Sequence, residues 1–267
     1  MAIHGLLHIR YKHKESITLN DDDYISPDRK HSALIIIDVQ RDFTLIGSST
    51  EIPGTFHVVQ YIRSLIQAYR ELAHPIIHVV RLYRPDGSNV DMCRRKEIEN
   101  GKQMVMPGND GAELVDELKP YPSIRLDSDL LLSGNLQQIG PMEWIMYKPR
   151  WGAFYNTALE KHLHSLGVNT VVVCGCNFAN CPRTTIYEAS ERDFRIVLAK
   201  DATSAIYDIG LRELKNIGVV LMDIDACMKW LGLPHPKSNL VSNKGLFFRK
   251  YFFFNNIPFN RYSSRFC

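Results

Sequence analysis

Three cysteines lie close together, at 174, 176 and 181, and the setting of the last suits a nucleophile. Val171-Val-Val-Cys174 is an apolar, β-branched run that reads as a buried strand. Gly175 to Asn180 is a tight polar turn. Cys181-Pro182 then opens a helix, since proline in its first turn gives up no needed hydrogen bond. Ile186, Ala189 and Phe194 supply an inner face. Cys181 therefore sits where a strand passes into a helix N-terminus. The unpaired N–H groups and the macrodipole there favour an anion, and so a thiolate. From this stretch alone, a cysteine serving as small apolar filler is an equally consistent reading.

Two further polar residues close apolar runs. Ala33-Leu-Ile-Ile-Ile-Asp38 has the continuous apolarity of a strand buried on both faces, and it ends in a carboxylate. Such a group is costly unless paired, although aspartate also commonly caps the next turn. Met142-Glu-Trp-Ile-Met-Tyr147 is a second such strand, and Lys148-Pro149 ends it. Strand-end lysines are usually just solvated. Together, however, Asp38, Lys148 and Cys181 each follow a buried strand, and a parallel sheet would bring all three to one edge. An acid, a cation and a thiol there amount to a nucleophile with its base and a charge partner.

The elements that must position them read as alternating strands and helices, the pattern of a doubly wound α/β fold with a mostly parallel sheet and helices on both faces. A helix is expected over 55–73 with Thr55 as N-cap, carrying Val59, Ile62, Leu65, Ile66, Tyr69 and Leu72 at helical spacing. A strand follows at 76–80, ending at Arg81. His74 and His78 flank it, and they read as satisfied or surface histidines more readily than as a metal pair. Residues 83–111 read as a long irregular loop, a lid or binding loop by its length. A short helix is expected at 112–118, and loop or weak strand at 121–141. A helix that follows Gly152-Ala-Phe154 and runs to about 166, a helix at 207–217, and strands at 195–199 and 219–222 complete the body. Residues 39–43 read as a loop, and Ile17 and Leu19 as a short edge strand.

The 267 residues are 45% hydrophobic and 23% charged, which is ordinary for a globular protein. The net charge of +3 hides an asymmetry. No acidic residue follows Asp225, while seven basic ones do; without those seven the chain has 25 Lys and Arg against 29 Asp and Glu, a balance of −4. The body has no basic face for nucleic acid. Three regions result: an extension at 1–31, a domain at 32–232, and an aromatic and basic tail at 233–267. The tail reads as packed on the body or on another subunit, or as disordered, ahead of any membrane or single-strand nucleic-acid contact. Six irregularly spaced cysteines in a chain of this length favour a reduced, cytoplasmic protein, and the first residues make a poor signal peptide. No stable membrane association is expected.

Leu34-Ile-Ile-Ile-Asp-Val-Gln-Arg-Asp-Phe43 resembles the first motif of the isochorismatase-like cysteine hydrolases. Lys148-Pro-Arg-Trp-Gly-Ala-Phe154 resembles their second, and Gly175 to Cys181, followed by Thr184 or Thr185, their nucleophile turn. The likeness covers about residues 32 to 223. Its motifs are specific for the superfamily, not for a substrate. It implies a three-layer Rossmann-like fold and an Asp-Lys-Cys triad carried by Asp38, Lys148 and Cys181. It also implies a non-proline cis peptide at Cys176–Asn177, an oxyanion hole from the N–H groups of Asn177 and Cys181, and a pocket lined by Phe43 and Trp151. Arg81 joins these as a candidate substrate contact. The Asp-x-His metal motif of the nicotinamidases is replaced by Arg81-Leu-Tyr-Arg-Pro-Asp86, so neither a metal nor another cofactor is expected. True isochorismatases lack the cysteine, so its presence favours amide over vinyl-ether cleavage. The turn Asn177-Phe-Ala-Asn-Cys-Pro182 is similar to the branch of streptothricin hydrolase-like amidases. The resulting expectation is hydrolysis of a small amide, lactam or ureido compound through a thioester, in a homodimer or homotetramer. Two alternatives are a non-catalytic binding or scaffold protein on the same fold, and redox or metal use of Cys174, Cys176 and Cys181.

Overall fold

The structure, a computed structural model, describes residues 24–234. The possible edge strand at Ile17 and Leu19 and nearly all of the tail at 233–267 lie outside them. Seven strands alternate with helices: β1 (Ser32–Ile37), α1 (Arg41–Thr44), α2 (Thr55–Glu71), β2 (Ile76–Val80), α3 (Met92–Glu99), α4 (Ser128–Leu132), β3 (Gln137–Gly140), β4 (Glu143–Tyr147), α5 (Leu159–Ser165), β5 (Thr170–Gly175), α6 (Cys181–Ser190), β6 (Arg195–Thr203), α7 (Asp208–Asn216), β7 (Val220–Met222) and α8 (Ile224–Leu231). They form one sheet in the order β3-β4-β2-β1-β5-β6-β7. Every pairing is parallel except the antiparallel edge pair β3–β4.

The alternation of side chains along each strand divides the core in two. Ala33, Ile35 and Ile37 of β1 face one layer with Val171 and Val173 of β5, packed under Leu159 and Leu163 of α5, Ile186 and Ala189 of α6, and Leu214 of α7. Leu34 and Ile36 face the other layer with Val172 and Cys174, under Ile62, Leu65 and Ile66 of α2 and Met228 and Leu231 of α8. All six residues of β1 and all six of β5 are buried. Central strands covered on both faces need that apolarity, and it explains why the polar residues of β1 and β5, Ser32 and Thr170, lie at a strand end. The doubly wound α/β reading holds.

Several local expectations do not. The loop at 83–111 contains α3, whose only buried residue is Ile98, so the sequence offered almost no apolar periodicity. The helix expected at 112–118 is two 3-10 turns, Asp110–Ala112 and Asp116–Leu118. The segment at 121–141 holds α4 and β3, and residues 41–44 form α1 within what read as loop. The helix expected after Phe154 starts only at Leu159. Thr55 is not the N-cap of α2. Gly54 takes that place at φ 87°, while the Thr55 hydroxyl is buried against Ser204 Oγ at 2.9 Å. α8 is an element the sequence reading omitted. His78 is buried, its Nε2 2.7 Å from Glu143 Oε1, and Arg70 grips the same carboxylate at 2.7 Å; this is a structural cluster.

Candidate active site

The sheet order sets four consecutive strands side by side: β4, β2, β1 and β5. The residues just beyond their carboxyl ends are Lys148, Arg81, Asp38 and Cys181, the last after the turn at 176–180. Register fixes two of them directly. Asp38 N–H donates to Val79 O at 2.9 Å, and Lys148 N–H donates to Val80 O at 3.0 Å. Asp38 leaves its strand at φ 53°, in the left-handed region that non-glycine residues seldom occupy, which turns its side chain out of the sheet's alternation.

The carboxylate so placed meets the ammonium of Lys148, with Asp38 Oδ2 2.9 Å from Nζ. Lys148 is fully buried and Asp38 nearly so, at 4% exposure. Nζ also donates to Arg150 O at 3.3 Å. Cys181 is 6% exposed and feels Asp38 both as a charge and as a hydrogen-bond acceptor. Asp38 Oδ1 has no hydrogen-bond partner among the described residues.

Gly175 lets the nucleophile turn approach β1. A Cβ there would lie 2.3 Å from Ile37 O, and its φ of 124° is in the region that favours glycine. Cys176 N–H then donates to Ile37 O at 2.8 Å. The expected cis bond is absent: Cys176–Asn177 is trans, and Asn177 takes up the turn at φ 60°. Asparagine enters the left-handed region more readily than most residues bearing a Cβ. Of the two N–H groups expected to form an oxyanion hole, one is already engaged. Asn177 N–H donates to Ser204 Oγ at 2.8 Å, whereas Cys181 N–H has no partner among the described residues. Ser204 belongs to a buried chain in which Thr55 Oγ1 lies 2.9 Å from Ser204 Oγ and 3.5 Å from Cys176 Sγ.

The helix start does not make Cys181 acidic. Burial, and then the charge of Asp38, push its thiol up to about 11, against the opposing pull of Lys148 and Arg81. Burial likewise raises Cys176 to about 12. At neutral pH the resting site holds a thiol.

Arg81 is buried, ion-paired to Asp91, and donates through Nη1 to Lys148 O at 3.4 Å. Its guanidinium lies 5.4 Å from the ring of Trp151. Trp151 is held because the next residues are tied to α6: Ala153 N–H donates to Thr185 Oγ1 at 3.1 Å and Phe154 N–H to Glu188 Oε2 at 2.8 Å. Phe43 is 4% exposed and belongs to a buried cluster with Tyr83, Leu114 and Cys176. The sequence reading missed Gln40, Asp91 and Arg94. Gln40 bridges Arg81 O at 2.8 Å and Ala112 O at 2.7 Å. A metal does not suit this rim. Asp91, a buried carboxylate beside it, is taken by Arg81 and by the Tyr83 hydroxyl at 2.8 Å, and Arg94 adds a second guanidinium. A cavity of about 770 Å³, lined by Asp28, Arg29, Asn169 and Trp230 among others, opens at the other end of β5.

With this geometry in hand, comparison with known proteins identifies the family. The isochorismatase domain family matches residues 32–131 and 132–226. The chain belongs to it. It is 30% identical over 196 residues to a probable inactive nicotinamidase of Arabidopsis thaliana, covering 71% of this chain and 91% of that protein. A ureidoacrylate amidohydrolase of Methylobacterium radiotolerans is 24% identical over 233 residues, covering 79% and 83%. Among solved structures, an isochorismatase family protein from Desulfovibrio vulgaris aligns with a TM-score of 0.65 and 28% identity, over 76% of this chain and 98% of that one. No helix among the described residues is long and apolar enough to cross a membrane.

Proposed function

We propose that the chain is a cysteine-dependent hydrolase that cleaves a C–N bond of a small amide, lactam or ureido compound through a thioester. The observation that carries this reading is the buried Asp38–Lys148 pair, 2.9 Å apart, against the thiol of Cys181 on one rim of the sheet. An ion pair with no solvent is poor value as a stabiliser, so its placement beside a nucleophile argues for chemistry. The likeness to an amidohydrolase points the same way.

Asp38 takes the thiol proton as the sulfur attacks the carbonyl carbon, and Lys148 compensates the charge that remains on the pair. The raised thiol makes this transfer necessary, because little thiolate is present beforehand. Cys181 N–H, at the start of α6, is the donor placed to receive the developing oxyanion. Asn177 N–H becomes a second donor only by leaving Ser204. One such donor is worth roughly a hundredfold or more in rate. Asp38 returns the proton to the leaving nitrogen as the C–N bond breaks. Water then attacks the thioester, gives a proton to Asp38, and frees the sulfur. The substrate is a small molecule. The active form is proposed to be a homodimer or homotetramer in the cytoplasm, and light scattering tests the assembly.

A screen of small amides, lactams and carbamoyl compounds tests the activity, with Cys181→Ala as control. Turnover lost in that variant, with an acyl adduct on Cys181 by mass spectrometry of the wild type, is the expected result. Near-full activity in Cys181→Ala refutes the mechanism. One rival has support of its own: a non-catalytic member of the fold, favoured by the occupied Asn177 N–H and by the relative named as probably inactive. It predicts no turnover and no adduct with any of these compounds.

A further inference from the structure

Between β4 and α5, residues 148–158 form neither helix nor strand, so their backbone groups need partners elsewhere. This segment carries Lys148 and Trp151, and α6 supplies two of the partners. Cys181, Thr185 and Glu188 fall at i, i+4 and i+7 and so lie on one face of that helix. Thr185 is buried; its Oγ1 donates to Cys181 O at 2.8 Å and accepts from Ala153 N–H at 3.1 Å. Glu188 Oε2 accepts from Phe154 N–H at 2.8 Å. The same carboxylate lies against the backbone of Gly152, where a Cβ would come within 2.0 Å of Oε2 and 2.3 Å of Oε1. Glycine at 152 and a carboxylate at 188 therefore fit as a pair. Arg192, one turn further on, pairs with Glu160 at 2.9 Å and meets Glu188 through the backbone carbonyl at 2.8 Å. The Glu188 carboxylate is left to the segment.

This grip reaches the reacting groups. Lys148 Nζ lies 2.9 Å from Asp38 Oδ2 and also donates to Arg150 O at 3.3 Å, so the ammonium follows the segment as well as its own strand. Trp151 directly precedes the gripped glycine. A backbone N–H bound to a carboxylate makes a bond about twice as strong as one to a neutral acceptor, which suits a segment with no strand or helix ladder of its own. Building on the hydrolase reading above, we propose that Glu188 is a positioning residue: by holding Gly152 and Phe154 to α6, it fixes Trp151 and the Arg150 carbonyl that anchors Lys148. The helix that starts at the sulfur then also sets where the sulfur's charge partner stands.

Iodoacetamide alkylation of Cys181 on the full chain, carried in pH to its plateau, gives a midpoint that a change in access does not move, and it needs no turnover. Glu188→Ala is expected to move the midpoint to higher pH, in the direction of Lys148→Met and by less, with roughly threefold or more loss of thiolate at a fixed pH below it. Glu188→Gln keeps an acceptor for Phe154 N–H and restores most of the shift. Gly152→Ala expels the carboxylate and gives the same shift, and joined to Glu188→Ala it gives no further one. Ile186→Val, a core loss in the same helix, lowers the melting temperature and leaves the midpoint in place. On an amide that the wild type cleaves, Glu188→Ala lowers kcat by roughly tenfold or more with a smaller change in KM. A Glu188→Ala midpoint equal to that of the wild type, a shift that Ile186→Val matches at equal loss of melting temperature, or an unchanged kcat overturns the positioning role and leaves the hydrolase reading intact. A shift rescued by Glu188→Gln in a protein that cleaves no amide keeps the role and sinks the hydrolase reading.

Discussion

The state of the Cys181 sulfur is the point on which sequence and structure differ most, and alkylation measures it. Cys93 is exposed and serves as an internal reference, so peptide-resolved mass spectrometry after iodoacetamide treatment compares both thiols in one sample. Burial and Asp38 carry Cys181 from 9.0 to about 11. Well below both values each step of one in pKa is tenfold in thiolate, so Cys181 presents about a hundredfold less thiolate than an unperturbed thiol. Limited access slows the absolute rate as well, and the diagnostic quantity is therefore the pH profile. The Cys181 rate is expected to climb tenfold per pH step through pH 10. Asp38→Asn removes a charge that holds the thiol up, so its profile moves to lower pH. Lys148→Met removes a charge that holds it down, so its profile moves to higher pH. A Cys181 rate that levels off below pH 8, or variants that shift in the opposite directions, would refute the reasoning. Slow alkylation at neutral pH is thus no sign of an idle site.

Lys148→Met leaves the Asp38 carboxylate buried without its partner and is expected to cost about 3–5 kcal/mol in chemical denaturation, with Asp38→Asn/Lys148→Met recovering part of that loss. Gly175→Ala forces a Cβ to 2.3 Å from Ile37 O at a φ of 124°; a loss of roughly 3 kcal/mol or failure to accumulate folded protein is expected. Burial raises Glu143, but its hydrogen bonds and charge pairing with His78 and Arg70 outweigh that and leave it below 4.5. Its contribution to stability is therefore complete above the unfolded value and fades as pH falls through the folded one, a dependence that denaturation series should find weakened in Glu143→Gln. Ser204→Ala frees Asn177 N–H and is expected to alter kcat more than KM, measurable on any amide the wild type cleaves.

The sequence by itself determined the sheet. Runs such as Ala33-Leu-Ile-Ile-Ile and Val171-Val-Val are apolar on both faces because the central strands are covered on both, and a polar residue can appear only where such a run ends. The strand-end positions of Asp38 and Lys148 were legible for that reason. α8 was legible too, though unread: Asp223 accepts from Ala226 N–H at 2.9 Å, Ile224, Cys227, Met228 and Leu231 share a face, and Gly232 ends it at φ 80°. Only the tertiary structure decided the rest. α3 has a single buried residue, so nothing in its pattern marks it as a helix or aims Arg94 at Trp151. The partner of Asn177 N–H is Ser204, on a strand end whose approach depends on the packing of β6 beside β5. The protonation of Cys181 follows from how deeply the fold buries it beside Asp38. Apolar periodicity reports which face of an element is inside, whereas contacts between loop residues and the charge state of a buried group depend on distances that no local pattern encodes.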